Sequence, residues 1–153
     1  CDLIIEKDLN IIWNCAARID SLSEELIQKM KQSGMRQIEL GVETGSPRMQ
    51  KLLHKNLNLD TVRRMTKYLL DNGIMVGLFF MYGFPEETEE DLGMTLNLLF
   101  DMLDLGIADA TMSFLRFNPT TELTNKHFDI VVEVLLKLKI KKFDFYYNHQ
   151  NIN

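Results

Sequence analysis

Three segments hold the side chains best suited to chemistry: Gly41-Val42-Glu43-Thr44-Gly45-Ser46, Gly83-Phe84-Pro85-Glu86-Glu87-Thr88 and Phe117-Asn118-Pro119-Thr120-Thr121-Glu122-Leu123. Each mixes glycine or proline with carboxylates and hydroxyls, the composition of a loop that can orient a polar ligand while the backbone comes close to it. Other chemistries lack their parts. His54, His127 and His149 show no metal-ligand spacing, and two cysteines, Cys1 and Cys15, cannot make a disulfide framework or a self-contained four-thiolate site. Neither G-x-G-x-x-G nor G-x4-G-K-[ST] occurs, which ranks other nucleotide-binding parallel-sheet enzymes last. Lys and Arg number 17 against 22 for Asp and Glu, and a net charge of −5 argues against nucleic acid or an anionic membrane as partner. A small-molecule substrate is the expectation.

These loops need elements to hold them. Gly34, Gly73 and Gly106 each follow an amphipathic stretch and precede an apolar one, the pattern of a helix stop feeding a strand. Upstream of each stands a polar cap before an acidic first turn: Ser23, Asn58 and Thr88. The alternation predicts helix, strand, helix, strand, and strands joined by helices run parallel. Gln37 to Glu43 alternates, with Ile38, Leu40 and Val42 toward helices and Glu39, Gly41 and Glu43 toward a lumen or cleft. Met75 to Tyr82 is apolar at almost every position, as for a strand covered on both faces. An earlier strand is expected at Leu9 to Trp13, followed by a loop with Arg18 and Asp20. Phe128 to Ile140 reads as a helix, and Phe143 to Tyr147 as a short strand or a docked tail. In parallel α/β sheets the chemistry sits at the carboxyl ends of the strands, which puts the three segments on one rim.

With 153 residues, 46% apolar and 25% charged, the chain suits one globular domain, residues 1–153, with 124–153 as an added helix and tail. Its longest apolar run, Ile74 to Phe84, is far shorter than the ~20 residues of a membrane span, and the sparse cysteines suit a reducing cytoplasm. Opening on Cys rather than Met, it reads as a piece of something longer.

Taken in order, with Trp13 and Arg18-Ile19-Asp20 ahead and Lys55 twelve residues beyond Glu43, the loops resemble the radical S-adenosylmethionine (SAM) superfamily. The likeness is to the branch that often carries an upstream cobalamin-binding domain and reads W…R-x-D, G-V-E-S-G-S, a Lys or Arg, G-x-P-G-E-T and P-G-T-x-L. The resemblance implies an incomplete TIM-barrel-like α/β fold, about strands three to six of a (βα)6 partial barrel. It implies an iron-sulfur oxidoreductase or methyltransferase that cleaves SAM reductively to a 5′-deoxyadenosyl radical. The [4Fe–4S] cluster would be held by a Cys-x3-Cys-x2-Cys loop outside this sequence, and cobalamin would be an optional further cofactor.

Carried onto this chain, the likeness places Glu43 near the SAM ribose or methionyl group and Lys55 on the methionine carboxylate. Arg18 would reach SAM or substrate. Phe79, Met81 and Gly83 would wall the adenine, and Glu87 keeps its place in the third signature. Phe79 stands where some members have a carboxylate, and Glu86 and Thr120 replace glycines of the pattern. Structural readings stand beside these: Glu43 paired with Arg18 or Arg36, Lys55 solvated in a loop, Arg18 paired with Asp20, Thr88 as a helix cap, Trp13 in the core. The competing functional expectation is a non-catalytic α/β binding module. A barrel cut at a strand edge would also self-associate.

Overall fold

A computed structural model describes residues 1–116, 118 and 121–130. The expected helix running to Ile140 and the segment Phe143 to Tyr147 extend beyond them. Cys1–Phe114 forms one compact unit, and a second begins at Leu115. In the first unit, β1 (Trp13–Ala17), β2 (Met35–Glu43), β3 (Met75–Tyr82) and β4 (Asp109–Phe114) form a parallel sheet in the order β1-β2-β3-β4. Helices α1 (Asp2–Glu6), α2 (Glu24–Gln32), α3 (Pro47–Leu52), α4 (Leu59–Asp71) and α5 (Glu89–Leu105) connect or flank the strands, with a 3-10 turn at Ile19–Ser21. The second unit holds α6, Glu122–Lys126.

Local signals account for most boundaries. Ser23, Asn58 and Thr88 each cap a helix, accepting a hydrogen bond from a backbone N–H three residues on at 3.1, 2.9 and 3.2 Å. Gly34 ends the α2 segment at φ +100°, and a Cβ there would lie 1.9 Å from the Ile11 carbonyl oxygen, so only glycine fits.

The helices bury their stripes against one face of the sheet. Ile38, Leu40 and Val42 of β2 and Val76, Leu78 and Phe80 of β3 pack with Ile27 and Met30 of α2, Val62, Met65 and Leu69 of α4, and Leu98, Leu99 and Met102 of α5. Each such side chain contributes about 1.5–3 kcal/mol relative to exposure. The opposite face carries Asn14, Ala16, Gln37, Glu39, Gly41, Phe79, Met81, Thr111 and Ser113, all half-buried or exposed.

Two expectations are corrected. The first strand is Trp13–Ala17, not Leu9 to Trp13: its partner β2 begins at Met35, because Gly34 is still completing the turn out of α2, so pairing starts at Trp13 opposite Met35. Leu9, Ile11 and Ile12 precede that register and remain exposed. The strand β3 is covered on one face only; Met75 is 50% and Phe79 39% exposed, since the packed helices all approach from the other side. The short helix α3, capped by Ser46 with Pro47 in its first turn, is an element that the sequence pattern did not assign.

Candidate functional site

The open face ends at a built ion pair. Between Gly41 and Glu43 the register of β2 against β3 slips, a bulge that turns Glu43 away from simple alternation. Glu43 takes φ +70°, a conformation that side chains other than glycine adopt at a cost and that structures retain mostly at sites of use. Its Oε1 accepts a 2.8 Å hydrogen bond from Lys55 Nζ, with the two side chains 22% and 20% exposed. Gly41 makes room for the pair: a Cβ there would stand 2.9 Å from Glu43 Oε1 and 3.3 Å from Lys55 Nζ. Glu43 therefore pairs with Lys55, and neither with Arg18 nor with Arg36.

Arg18 belongs to the same corner without joining the pair. Its Nε and Nη2 donate to Asp20 at 3.0 and 2.8 Å, and Nη2 also donates to the Lys55 carbonyl at 2.9 Å. The Asp20 carboxyl is held below its ordinary range by that guanidinium. Arg18 thus braces the segment that presents Lys55. Phe79 and Met81 lie on the open face of β3. Gly83, at φ +83°, follows that strand, but the space its missing Cβ leaves is taken by the Phe114 ring, 2.4 Å away, and its N–H donates to Glu87 Oε2 at 2.6 Å. The other oxygen of Glu87 is buried and has no hydrogen-bond partner. Glu87 clamps the loop after β3 by its backbone.

A second cluster, missed by sequence reading, ties the two rim loops together. Buried Asp91 accepts from Ser46 Oγ at 2.5 Å, from Thr88 N and Oγ1 at 2.9 and 2.6 Å, and from the Arg48 guanidinium, which also reaches the Glu86 carbonyl. The Arg48 hydrogen bond, followed by those from Ser46 and Thr88, outweighs burial and holds the Asp91 carboxyl far below the usual carboxylate range. Thr95 adds a bond to Thr44 and accepts from Gly45 N, both at 3.0 Å. Ser46 and Thr88, residues of the motifs, are thus structural here: Thr88 caps α5, as its local sequence suggested, and Ser46 links α3 to it. Asp91 could have been found as the third residue of a capping box begun at Thr88; its bonds to Ser46 and Arg48 leave no local signal.

The groups at the open corner fit one end of SAM. An ammonium carries three donors and Glu43 occupies one, so Lys55 can still receive a carboxylate, and the carboxylate of Glu43 can accept from an amine or hydroxyl. The described residues do not fit a [4Fe–4S] cluster: Cys1 is exposed, Cys15 points its half-buried thiol at Met35 Sδ 3.9 Å away, and among the described residues no three metal-binding side chains converge. No helix among them is long and apolar enough to cross a membrane.

Comparison with known proteins bears on the family and the fold. The radical SAM superfamily profile matches residues 2–99. The chain is 27% identical over 114 residues to an uncharacterized methyltransferase of Pyrococcus horikoshii, covering 72% of this chain and 24% of that protein. It is 26% identical over 103 residues to the anaerobic magnesium-protoporphyrin IX monomethyl ester cyclase of Rubrivivax gelatinosus, covering 66% and 19%. It therefore spans about a quarter or less of the length of these relatives. Among solved structures, the radical SAM methyltransferase TsrM of Kitasatospora setae, with tryptophan and a SAM analogue bound, superposes with TM-score 0.72 at 17% identity over 87% of this chain and 27% of that one. The coproporphyrinogen III oxidase HemN of Escherichia coli gives 0.66 at 14% identity over 94% and 37%. These likenesses show the fold, a parallel α/β sheet of the partial TIM-barrel kind. The family match covers well over half of the chain, and the chain belongs to the radical SAM superfamily.

Proposed function

We propose that this chain supplies part of the SAM pocket of a longer radical SAM enzyme of methyltransferase type, the class of its relative from Pyrococcus horikoshii and of TsrM. The observation that carries the reading is the half-buried Glu43–Lys55 pair, held at the carboxyl end of β2 on the face no packed helix covers. Lys55 receives the carboxylate of the amino-acid end; Glu43 orients Lys55 and accepts from a polar hydrogen of the ligand. Arg18 steadies Lys55 through its carbonyl. Phe79 and Met81 supply an apolar wall for the adenine. SAM, when bound, supplies a radical or a methyl group, while these residues bind, orient and exclude water from it. Cobalamin fits this reading as a further cofactor, being bound in a TsrM structure that shares the fold.

The test is SAM binding and SAM cleavage by the full-length protein that contains this chain, reconstituted with iron and sulfide without oxygen. Lys55→Met should raise the SAM Kd about tenfold, the worth of one charge-assisted hydrogen bond. Glu43→Gln should weaken binding less, because an amide can still accept from Lys55. Unchanged affinity in both variants would overturn the reading.

A further inference from the structure

The two partners of the ion pair come from different segments, Glu43 from the end of β2 and Lys55 from the connection between α3 and α4. Both segments are irregular: Glu43 has φ +70°, and His54 and Asn56, on either side of Lys55, have +53° and +54°. Three non-glycine residues in the left-handed region need an outside constraint to stay there. The described residues contain one side chain bonded to both segments. Gln50, 2% exposed on α3, donates from Nε2 to the Val42 and Thr44 carbonyls, each at 2.8 Å, the residues on either side of Glu43. Its Oε1 accepts from Leu57 N at 3.1 Å. Its backbone carbonyl accepts from Lys55 N and Asn56 N, both at 3.0 Å.

We propose that Gln50 is a positioning residue for the Glu43–Lys55 pair and, resting on the SAM reading above, for the carboxylate of the amino-acid end of SAM. The chemistry of a primary amide suits that role, because its two N–H donors reach the Val42 and Thr44 carbonyls on either side of Glu43 while its one carbonyl oxygen accepts from the Leu57 N–H of the loop. A leucine would fill the volume but satisfy none of the three. A glutamate would keep the acceptor and lose both donors, placing a carboxylate against two carbonyl oxygens. The side-chain bonds set the Glu43 half and the far end of the Lys55 loop; the backbone bonds set the near end and survive substitution. Losing the side chain should therefore loosen the pair without unfolding α3.

The experiment compares Gln50→Leu with Gln28→Leu in the full-length protein. Gln28 is a matched control, since its Nε2 also makes two hydrogen bonds, to Tyr68 Oη and Asn72 Oδ1 at 2.8 Å, between α2 and the end of α4, away from the pair. Two readouts are taken on each: the rate at which an amine-reactive ester acylates Lys55, followed by mass spectrometry of the peptide, and the SAM Kd. Both variants should lose thermal stability. Only Gln50→Leu should speed Lys55 acylation, by several-fold, and only it should raise the SAM Kd, by about tenfold; in a Lys55→Met background it should raise the Kd no further. Acylation equal in the two variants would overturn the positioning role. Faster acylation in Gln50→Leu, with SAM affinity indifferent to Lys55→Met, would support Gln50 as the organiser of the pair and overturn SAM as its ligand. If Gln50→Leu fails to fold, Gln50→Met, longer and more adaptable, takes its place under the same two criteria.

Discussion

Phe79 and Phe80 are neighbours in β3, yet Phe79 is 39% exposed and Phe80 1%. The period of two along a strand puts them on opposite faces of the sheet, one open and one closed by α2, α4 and α5. The polar residues divide in the same way. Asp91, behind the rim, is buried with its carboxylate saturated by Ser46, Arg48 and Thr88, whereas the Glu43 carboxylate, on the open side, is held by Lys55 and remains one-fifth exposed. A group whose bonds are all spent inside the protein builds structure; a paired group with capacity left over can meet a ligand. Stability and binding should therefore separate by face.

The largest test of that separation is Phe80→Ala. Phe80 is among the largest fully buried side chains, and truncation removes its transfer energy and leaves a cavity, a loss of about 3–5 kcal/mol in denaturant unfolding. A loss below about 1 kcal/mol would mean that the helix-covered face is not the main core.

Asp91→Asn comes next, at about 3 kcal/mol, because buried hydrogen bonds to a charge are weakened and the Arg48 cation loses its counter-charge; Arg48 is half exposed, which keeps the loss at the low end. The pH dependence has a definite sign. The folded Asp91 carboxyl titrates far below its unfolded value of about 4, so the unfolded chain binds the extra proton between the two. Its stabilising contribution is complete above about pH 4 and is lost as pH falls below that. Chemical denaturation at a series of pH values should show the acid decline of the wild type flattened in Asp91→Asn. An identical acid slope in both would remove Asp91 from the scaffold.

Two glycines sharpen the comparison further. A Cβ on Gly45 would lie 2.5 Å from the Met94 carbonyl oxygen and 2.8 Å from the Thr95 Cα, backbone atoms of α5 that cannot step aside. Gly45→Ala should cost about 1–3 kcal/mol as an overpacked contact. The three atoms nearest a Cβ on Gly77 all belong to the carboxylate of Glu39, the end of a flexible side chain on the open face, and Gly77→Ala should cost less. Thermal unfolding of the pair checks the order; a reversal would contradict the assignment of rigid and adaptable sides.

How much of this was legible depended on how local the cause was. The caps at Ser23, Asn58 and Thr88 and the stop at Gly34 act within one turn, so residue type alone located the helices. The first strand was displaced because Leu9, Ile11 and Ile12 look more strand-like than Asn14, Cys15 and Ala16, while its register is set by β2, twenty-two residues away at Trp13–Met35. The six residues of α3 are too few to show a period. Glu43 and Lys55 were singled out by family likeness, and their mutual bond, at a separation of twelve residues, needed coordinates. Gln50 and the links from Ser46 and Arg48 to Asp91 carried no signal: nothing about a glutamine in an amphipathic stretch announces three backbone partners.

The smallest expected stability effect returns to Phe79. Removing its ring uncovers little core, so Phe79→Ala should change unfolding free energy by less than about 1 kcal/mol, even though Phe80→Ala, one position along, is the most damaging of these substitutions. If the open face binds SAM, the same variant should weaken SAM binding severalfold, since an aromatic wall contributes apolar contact area. The two measurements on one variant carry the comparison between faces: a stability loss approaching that of Phe80→Ala would mean that the face of β3 bearing Phe79 is packed in solution, and the distinction between a building side and a binding side would fall with it.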